Sequence, residues 1–334
     1  MPLKRIGLLT SGGDAPGMNA AIRAVVRQAD ALGVEVIGIR QGFQGLVNQD
    51  WAPLSSRACA NILQRGGTIL HTARCEPFHD PAVRAKAAAD LRAAGIEALV
   101  VIGGDGSFTG AELLSRCNGI KCAGIPGTID NDLPGTERTL GFDTALNTAV
   151  EAIDRIRDTA SSHERLFLVE VMGRRSGMLA VHTAIACGAE AVLYPESEGD
   201  NYESLVQQLK ANWGRGKLSS IVVVAEGDQS VGATNQIGGG AAFRIGERLK
   251  KDYNLDLRVV VLGHIQRGGS PSALDRIWGS RWGCEAVKRL LAGEDAFYLG
   301  THAGEMVARP LSYVLESRPE PPKELSNLVR VLSH

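Results

Sequence analysis

The chain has 334 residues, enough for two domains at about 150 residues each, and its 36 basic and 37 acidic side chains leave a formal net charge of -1. That balance excludes a general nucleic-acid binder and a polybasic membrane-surface protein, while 44% hydrophobic against 22% charged residues suits a soluble chain with a sizeable core. Glycine is the outlier: its 40 residues fall in clusters, and such clusters mark tight turns and close approach of backbone to a ligand.

The first apolar run, Ile6 to Leu9, reads as a strand that stops at Ser11-Gly12-Gly13. It is too short for a signal peptide, and no stretch nears the roughly 18 apolar residues of a membrane span. Asn19 to Leu32 has the pattern of an amphipathic helix and Val34 to Ile39 that of the next strand. Leu99 to Ile102 runs into Gly103-Gly104-Asp105-Gly106-Ser107, and a helical pattern begins at Ala111 to Leu114. Cys122 to Ile125 reads as a third strand ending at Pro126-Gly127, and the chain breaks between domains near Gly135 to Phe142. Leu166 to Val171, Ala191 to Tyr194, Ile221 to Ala225 and Val259 to Leu262 supply a second sheet; Gly232 to Gly240 reads as a long loop and Pro319 to Pro322 as a late linker. Apolar strands bounded by turns and separated by helices point to α/β architecture with mostly parallel sheets. Ligands in such sheets bind beyond the carboxyl ends of strands, where the glycine clusters fall. The six cysteines form no CxxC pair, which argues against structural zinc and, without a leader, for a reduced cytoplasmic protein.

Ser11-Gly12-Gly13-Asp14-Ala15-Pro16-Gly17 stands between a strand and a helix, where bare backbone N–H groups can hold phosphate oxygens. Gly12 and Gly17 have Walker-loop spacing, yet Met18-Asn19 occupies the Lys-Ser/Thr positions, so it is no Walker loop; phosphate cradle and plain tight turn fit equally. The second cluster fails the dinucleotide fingerprint at Thr109, while Asp105 between glycines suits a magnesium ion arriving on substrate phosphates, against the plainer reading of an Asp-Gly turn. In Pro126-Gly127-Thr128-Ile129-Asp130-Asn131-Asp132 the two carboxylates, if the segment is extended, point to one side and could divide the work of a base and its partner; a solvated loop is the alternative. Arg165, Arg174, Arg175 and Arg267 flank strand ends, and guanidinium forks match phosphate bidentately, although singly each is more often a surface ion pair. Arg23 and Arg27, one helical turn apart, together with Arg157, Arg215 and Lys217 could line a second anion site.

Taken in order, TSGGDAPGMN, RGGT, GGDGS, PGTIDND, EVMGRRSG and GHIQRGGSP resemble the bacterial ATP-dependent 6-phosphofructokinase family, from Ile6 to Leu291. The resemblance implies two Rossmann-like three-layer α/β/α domains with largely parallel sheets: 1–140 plus 265–315, larger and ATP-binding, and 141–264 plus 316–334, smaller and fructose 6-phosphate-binding. It implies phosphoryl transfer from MgATP to the sugar's 1-hydroxyl, giving fructose 1,6-bisphosphate and ADP. Gly13, Arg74, Cys75, Gly104, Asp105, Gly106 and Ser107 are then expected on ATP, with Asp105 on the magnesium. Thr128, Ile129, Asp130 and Asp132 are expected between the substrates, with Asp130 as base and Arg74 and Arg174 assisting. Met172, Gly173, Arg174, Glu226, His264 and Arg267 are expected on the sugar phosphate, joined by Arg165 and Arg258 from a neighbouring subunit of a homotetramer.

An effector site for ADP or GDP and for phosphoenolpyruvate maps onto Arg23, Arg27, Arg157, Glu190, Arg215 and Lys217. The chain departs from the family there at Leu218-Ser219 and Asn61, and Arg57 lies one place from another effector arginine. Pyrophosphate-dependent relatives tend to carry Asp after GGD and Lys before TIDND; Gly106 and Gly127 in those places favour ATP. A pyrophosphate-dependent enzyme and a catalytically silent sugar-phosphate sensor remain the alternatives.

Overall fold

The apolar runs become the central strands of two sheets in the computed structural model, which describes residues 3–197, 201–217, 219–232, 240–316 and 319–333. In chain order the elements are β1 (Arg5–Thr10), α1 (Met18–Ala31), β2 (Glu35–Ile39), α2 (Gly42–Asn48), β3 (Trp51–Pro53), α3 (Pro81–Ala93), β4 (Ala98–Gly103), α4 (Asp105–Asn118), β5 (Lys121–Thr128), β6 (Leu140–Gly141) and α5 (Phe142–His163). They continue with β7 (Leu166–Val171), α6 (Met178–Ala186), β8 (Ala191–Leu193), α7 (Asn201–Gly214), β9 (Ser220–Ala225), α8 (Ala241–Tyr253), β10 (Leu257–Val261), α9 (Ala273–Leu291), β11 (Phe297–His302), β12 (Glu305–Pro310) and α10 (Lys323–Leu332). The chain divides into two compact units, Met1–Thr144 with Arg267–Pro319 and Ala145–Gln266 with Glu320–His334. Among the described residues no helix is long and apolar enough to cross a membrane.

In the first unit the strand order is β12-β11-β5-β4-β1-β2-β3, with β6 added to the end of β5; β3 and β12 run antiparallel to their neighbours. Every residue of β4 is buried, as expected of a central parallel strand covered on both faces. One face carries Leu9, Ile37, Ile39, Leu99, Val101 and Cys122 into a core closed by α2, α3 and α4. On the other side α1 lies against α9, and two glycines permit the close approach: a Cβ on Gly279 would stand 3.0 Å from the Gly17 carbonyl, and one on Gly283 2.7 Å from the Ala21 carbonyl.

The second unit repeats the principle on the four-stranded parallel order β10-β7-β9-β8. Alternate residues of β7 and β9 serve opposite cores: Phe167, Val169, Val171, Ile221 and Val223 meet α5, α6 and α10, while Leu168, Val222 and Val224 meet α7 and α8. Each unit is therefore a three-layer α/β/α sandwich.

The structure corrects two local expectations. The third strand does not stop at Pro126-Gly127 but runs to Thr128, because Gly127 and Thr128 pair with Leu140 and Gly141. The helix after the second glycine cluster starts at Asp105 rather than near Ala111, so Asp105-Gly106-Ser107 of that cluster form the helix's own first turn. Six residues of helix were hidden because glycine and serine read as turn formers wherever no packing is known. All six cysteines are free thiols. The Gly232 to Gly240 segment falls almost wholly outside the described residues, as does Leu218.

Candidate active site

Parallel pairing in the order β5-β4-β1 sets the loops after these strands side by side. Ser11 N–H donates to the Ile102 carbonyl at 2.9 Å, and a Cβ on Gly103 would stand 2.5 Å from Ser107 Oγ and 2.6 Å from the Ser11 carbonyl, so the first two glycine clusters are in contact. Asp105 is the first residue of α4, where free N–H groups and the helix dipole favour negative charge. Its Oδ1 accepts from Gly106 N–H at 2.7 Å. Gly106 is exposed, with open space where a side chain would begin; a Cβ on Gly127 would meet Met18 and Ile102 at 3.0 and 3.1 Å.

Thr128 ends β5, and Asp130 and Asp132 follow at 3% and 7% exposure. The two carboxylates are not arranged by an extended pleat: Asn131 between them has φ 48°, a left-handed conformation that asparagine tolerates. Asn131 is fixed there, its Oδ1 accepting from Thr139 Oγ1 (3.2 Å) and its Nδ2 donating to the Glu137 carbonyl (3.2 Å). Asp130 N–H donates to Thr128 Oγ1 at 3.1 Å. The Ile129 side chain is fully buried, leaving only its backbone to meet a ligand. Arg74 is exposed, and burial pushes the half-buried Cys75 thiol up from its ordinary range. Arg267 belongs to this unit: its guanidinium donates to the Asp14 carbonyl (3.1 Å) and lies so near Gly13 that a Cβ there would stand 2.5 Å from it.

The second unit gathers Met172, Gly173, Arg174 and Glu226 at the ends of β7 and β9. Glu226 Oε1 accepts from Arg174 N–H at 2.7 Å, and Glu226 N–H donates to the Val171 carbonyl at 2.9 Å. Arg174 is exposed at φ 53°, and Gly227 passes so close that a Cβ on it would stand 1.9 Å from the Arg174 carbonyl. Glu170 on β7 is buried with its carboxylate at the start of α8, where Ala242 N–H donates to it (2.9 Å); burial pushes its carboxyl up. His264 is exposed after β10. Arg165 and Arg258 share one exposed partner, Asp256 (3.2 and 2.6 Å), whose carboxyl the Arg258 hydrogen bond holds below its ordinary range.

Of the expected effector residues, Arg157, Glu190 and Lys217 cluster in the second unit. Glu190, 1% exposed, pairs with Lys217 Nζ (2.8 Å) and Arg157 Nη1 (3.7 Å) and accepts from Ile221 N–H (2.6 Å). Arg215 lies just before Lys217, exposed on the turn after α7. Arg23 and Arg27 are on α1 in the first unit, where they favour the thiolate of buried Cys59 while burial carries its pKa up to about 11.

Two buried amides escaped the sequence reading. Gln266, fully buried, accepts from Met172 N–H (2.9 Å), and Asn19 holds the segment around RGGT. Each lies inside a recognised motif, but nothing in a sequence tells a buried tie from an exposed amide.

The profile of the phosphofructokinase family matches residues 5–290. The chain is 54% identical over 331 residues to ATP-dependent 6-phosphofructokinase 1 of Thermus thermophilus, covering 99% of this chain and all of that one. It is 50% identical over 332 residues to the ATP-dependent 6-phosphofructokinase of Halothermothrix orenii, with the same coverage. Among solved structures, phosphofructokinase from Saccharomyces cerevisiae superposes with a TM-score of 0.84 at 33% identity, over 99% of this chain and 47% of the yeast chain, so this chain spans about half of that longer one.

Proposed function

This chain belongs to the phosphofructokinase family, and from that premise we propose which of its residues carry the reaction. It is an enzyme, an ATP-dependent kinase acting on fructose 6-phosphate in glycolysis. Residues of the first unit hold ATP, and residues chiefly of the second hold the sugar phosphate. The observation that carries this reading is the single edge of the first unit on which β1, β4 and β5 present a glycine cradle, Asp105 on a helix N-terminus, and the buried pair Asp130 and Asp132.

Phosphoryl transfer asks a protein mainly for positioning and for stabilisation of charge on the moving group. Backbone N–H groups at Gly13 and Gly104 to Ser107, with the Arg74 guanidinium, hold the nucleotide phosphates. The Asp105 carboxylate would hold a magnesium ion, which takes oxygen ligands and usually stays with substrate phosphates, and the ion would there offset phosphate charge. Thr128, through its bond to Asp130 N–H, fixes Asp130, which takes the proton of the sugar's 1-hydroxyl, and Asp132 serves as its orienting partner. Glu226 and the Met172–Arg174 turn bind the sugar, His264, Arg174 and Arg267 its polar and phosphate groups. Open space at Gly106 leaves room for a nucleoside triphosphate.

The enzyme works as a cytoplasmic homotetramer, in which Arg165 and Arg258 reach a neighbouring subunit's sugar phosphate. Sedimentation as a monomer at assay concentrations removes that part of the reading. ADP or GDP activates and phosphoenolpyruvate inhibits through the basic residues around Glu190.

The test is a product assay with fructose 6-phosphate, magnesium and either ATP or pyrophosphate. Fructose 1,6-bisphosphate from ATP alone is expected. Product from pyrophosphate alone overturns the donor assignment, and product from neither leaves the sugar-phosphate sensor.

A further inference from the structure

Asn19 stands where a Walker loop would place its hydroxyl, and the reaction described above gives it no part. It lies in the first turn of α1 at 1% exposure, with three of its four hydrogen-bonding positions spent on one segment. Its Nδ2 donates to the carbonyls of Arg65 (3.0 Å) and Gly66 (3.1 Å), and its Oδ1 accepts from Ile69 N–H (2.9 Å). Thr10, on β1, continues the clamp by bonding Thr68 Oγ1 (2.9 Å) and donating to the His71 carbonyl (2.9 Å). On the far side the segment is pressed against the end of GHIQRGGSP: Ser270 Oγ donates to the Gln64 carbonyl (2.9 Å), and a Cβ on Gly66 would stand 2.2 Å from the Gly269 carbonyl. Three residues after His71 the chain reaches Arg74 and Cys75.

We propose that Asn19 is a positioning residue for the ATP half of the site, fixing residues 65–71 and through them Arg74 and Cys75. The proposal rests on the reading that these two residues hold ATP. A carboxamide is the side chain this place demands, since it faces two carbonyls with donors and one N–H with an acceptor. Aspartate has the same shape without the donors. As a carboxylate it repels both carbonyls; protonated, it donates to one of them and still accepts from Ile69. Burial against carbonyl oxygens pushes such a carboxyl up toward neutral pH.

The test is Asn19→Asp in the full chain, with KM for ATP, KM for fructose 6-phosphate and kcat followed from about pH 6 to 8.5. The expected result is a KM for ATP, relative to the wild type at each pH, that is near unity at the acid end and rises about tenfold at the alkaline end. KM for fructose 6-phosphate stays within about twofold. A ratio that is flat at unity overturns the proposal, as does an equal rise for both substrates at every pH, the pattern of a merely loosened fold. Should that variant not fold, Asn19→Ser is read instead: an ATP-specific rise without pH dependence supports the proposal and an unchanged KM for ATP overturns it. Arg74→Ala separates the proposal from its premise. If it raises KM for ATP while the Asn19 variants do not, the positioning role alone fails; if it leaves KM for ATP unchanged, both fail.

Discussion

Asp130 is a buried carboxylate whose own N–H is tied to Thr128 at the end of a central strand. A group held that way suits proton removal at a fixed point, since the strand rather than a mobile loop sets its position. Asp130→Ser is expected to lower kcat by about two to four orders of magnitude with little change in either KM, measured by steady-state kinetics. Near wild-type turnover would take the base role from it. Asp275, at the start of α9, is a different kind of buried acid. It accepts from Gly141 N–H (3.0 Å), Thr144 N–H (3.0 Å) and Thr144 Oγ1 (2.5 Å), yet burial outweighs these bonds and lifts its pKa from 3.8 to about 6. The folded chain thus keeps this proton at pH values where the unfolded chain has lost it. Asp275 therefore adds stability below pH 3.8 that is lost progressively as pH rises toward about 6. Urea denaturation across that window is expected to show a shallower fall of stability with pH in Asp275→Asn than in the wild type.

Among the elements, the α1–α9 pair makes the sharpest demand on sequence. Gly283 sits within a helix, where alanine is intrinsically better by about 1 kcal/mol, but its Cβ would meet Ala21's carbonyl and Ala24's Cβ at 2.7 Å. Overpacking of that kind costs about 1–3 kcal/mol. Gly283→Ala is expected to lower Tm and the urea midpoint, and a rise in either would show that α1 can move aside. The all-buried strands β4, β7 and β9 were legible from the sequence because nearly continuous apolar runs of that length have few other uses. The start of α4 at Asp105 and the last residues of β5 were not, because each depends on a partner distant in sequence: β6 for the strand, and the loop after β1 for the glycine turn.

At the scale of the whole molecule, the proposed regulation turns on charge placement. Glu190 is already paired with Lys217 and Arg157, so an anionic effector has to displace or share an existing partner. Phosphoenolpyruvate is expected to raise the apparent KM for fructose 6-phosphate, and more so in Glu190→Gln, where both cations lose their counter-charge while their bonds to backbone carbonyls hold them in place. Saturation curves that do not respond to it in either protein would count against an effector role for this cluster.

The sequence by itself determined the α/β class, the two sheets and the three glycine-rich turns after β1, β4 and β5, because hydrophobic periodicity and glycine placement are local properties. Through its motifs it also determined the family. Only the tertiary structure decided that Asn131 turns left-handed between the two aspartates, that Arg267 lies on the Gly13 loop, and that Asn19 and Gln266 are internal ties. These are matters of burial and of hydrogen-bond partners brought from far along the chain, and a linear pattern carries neither.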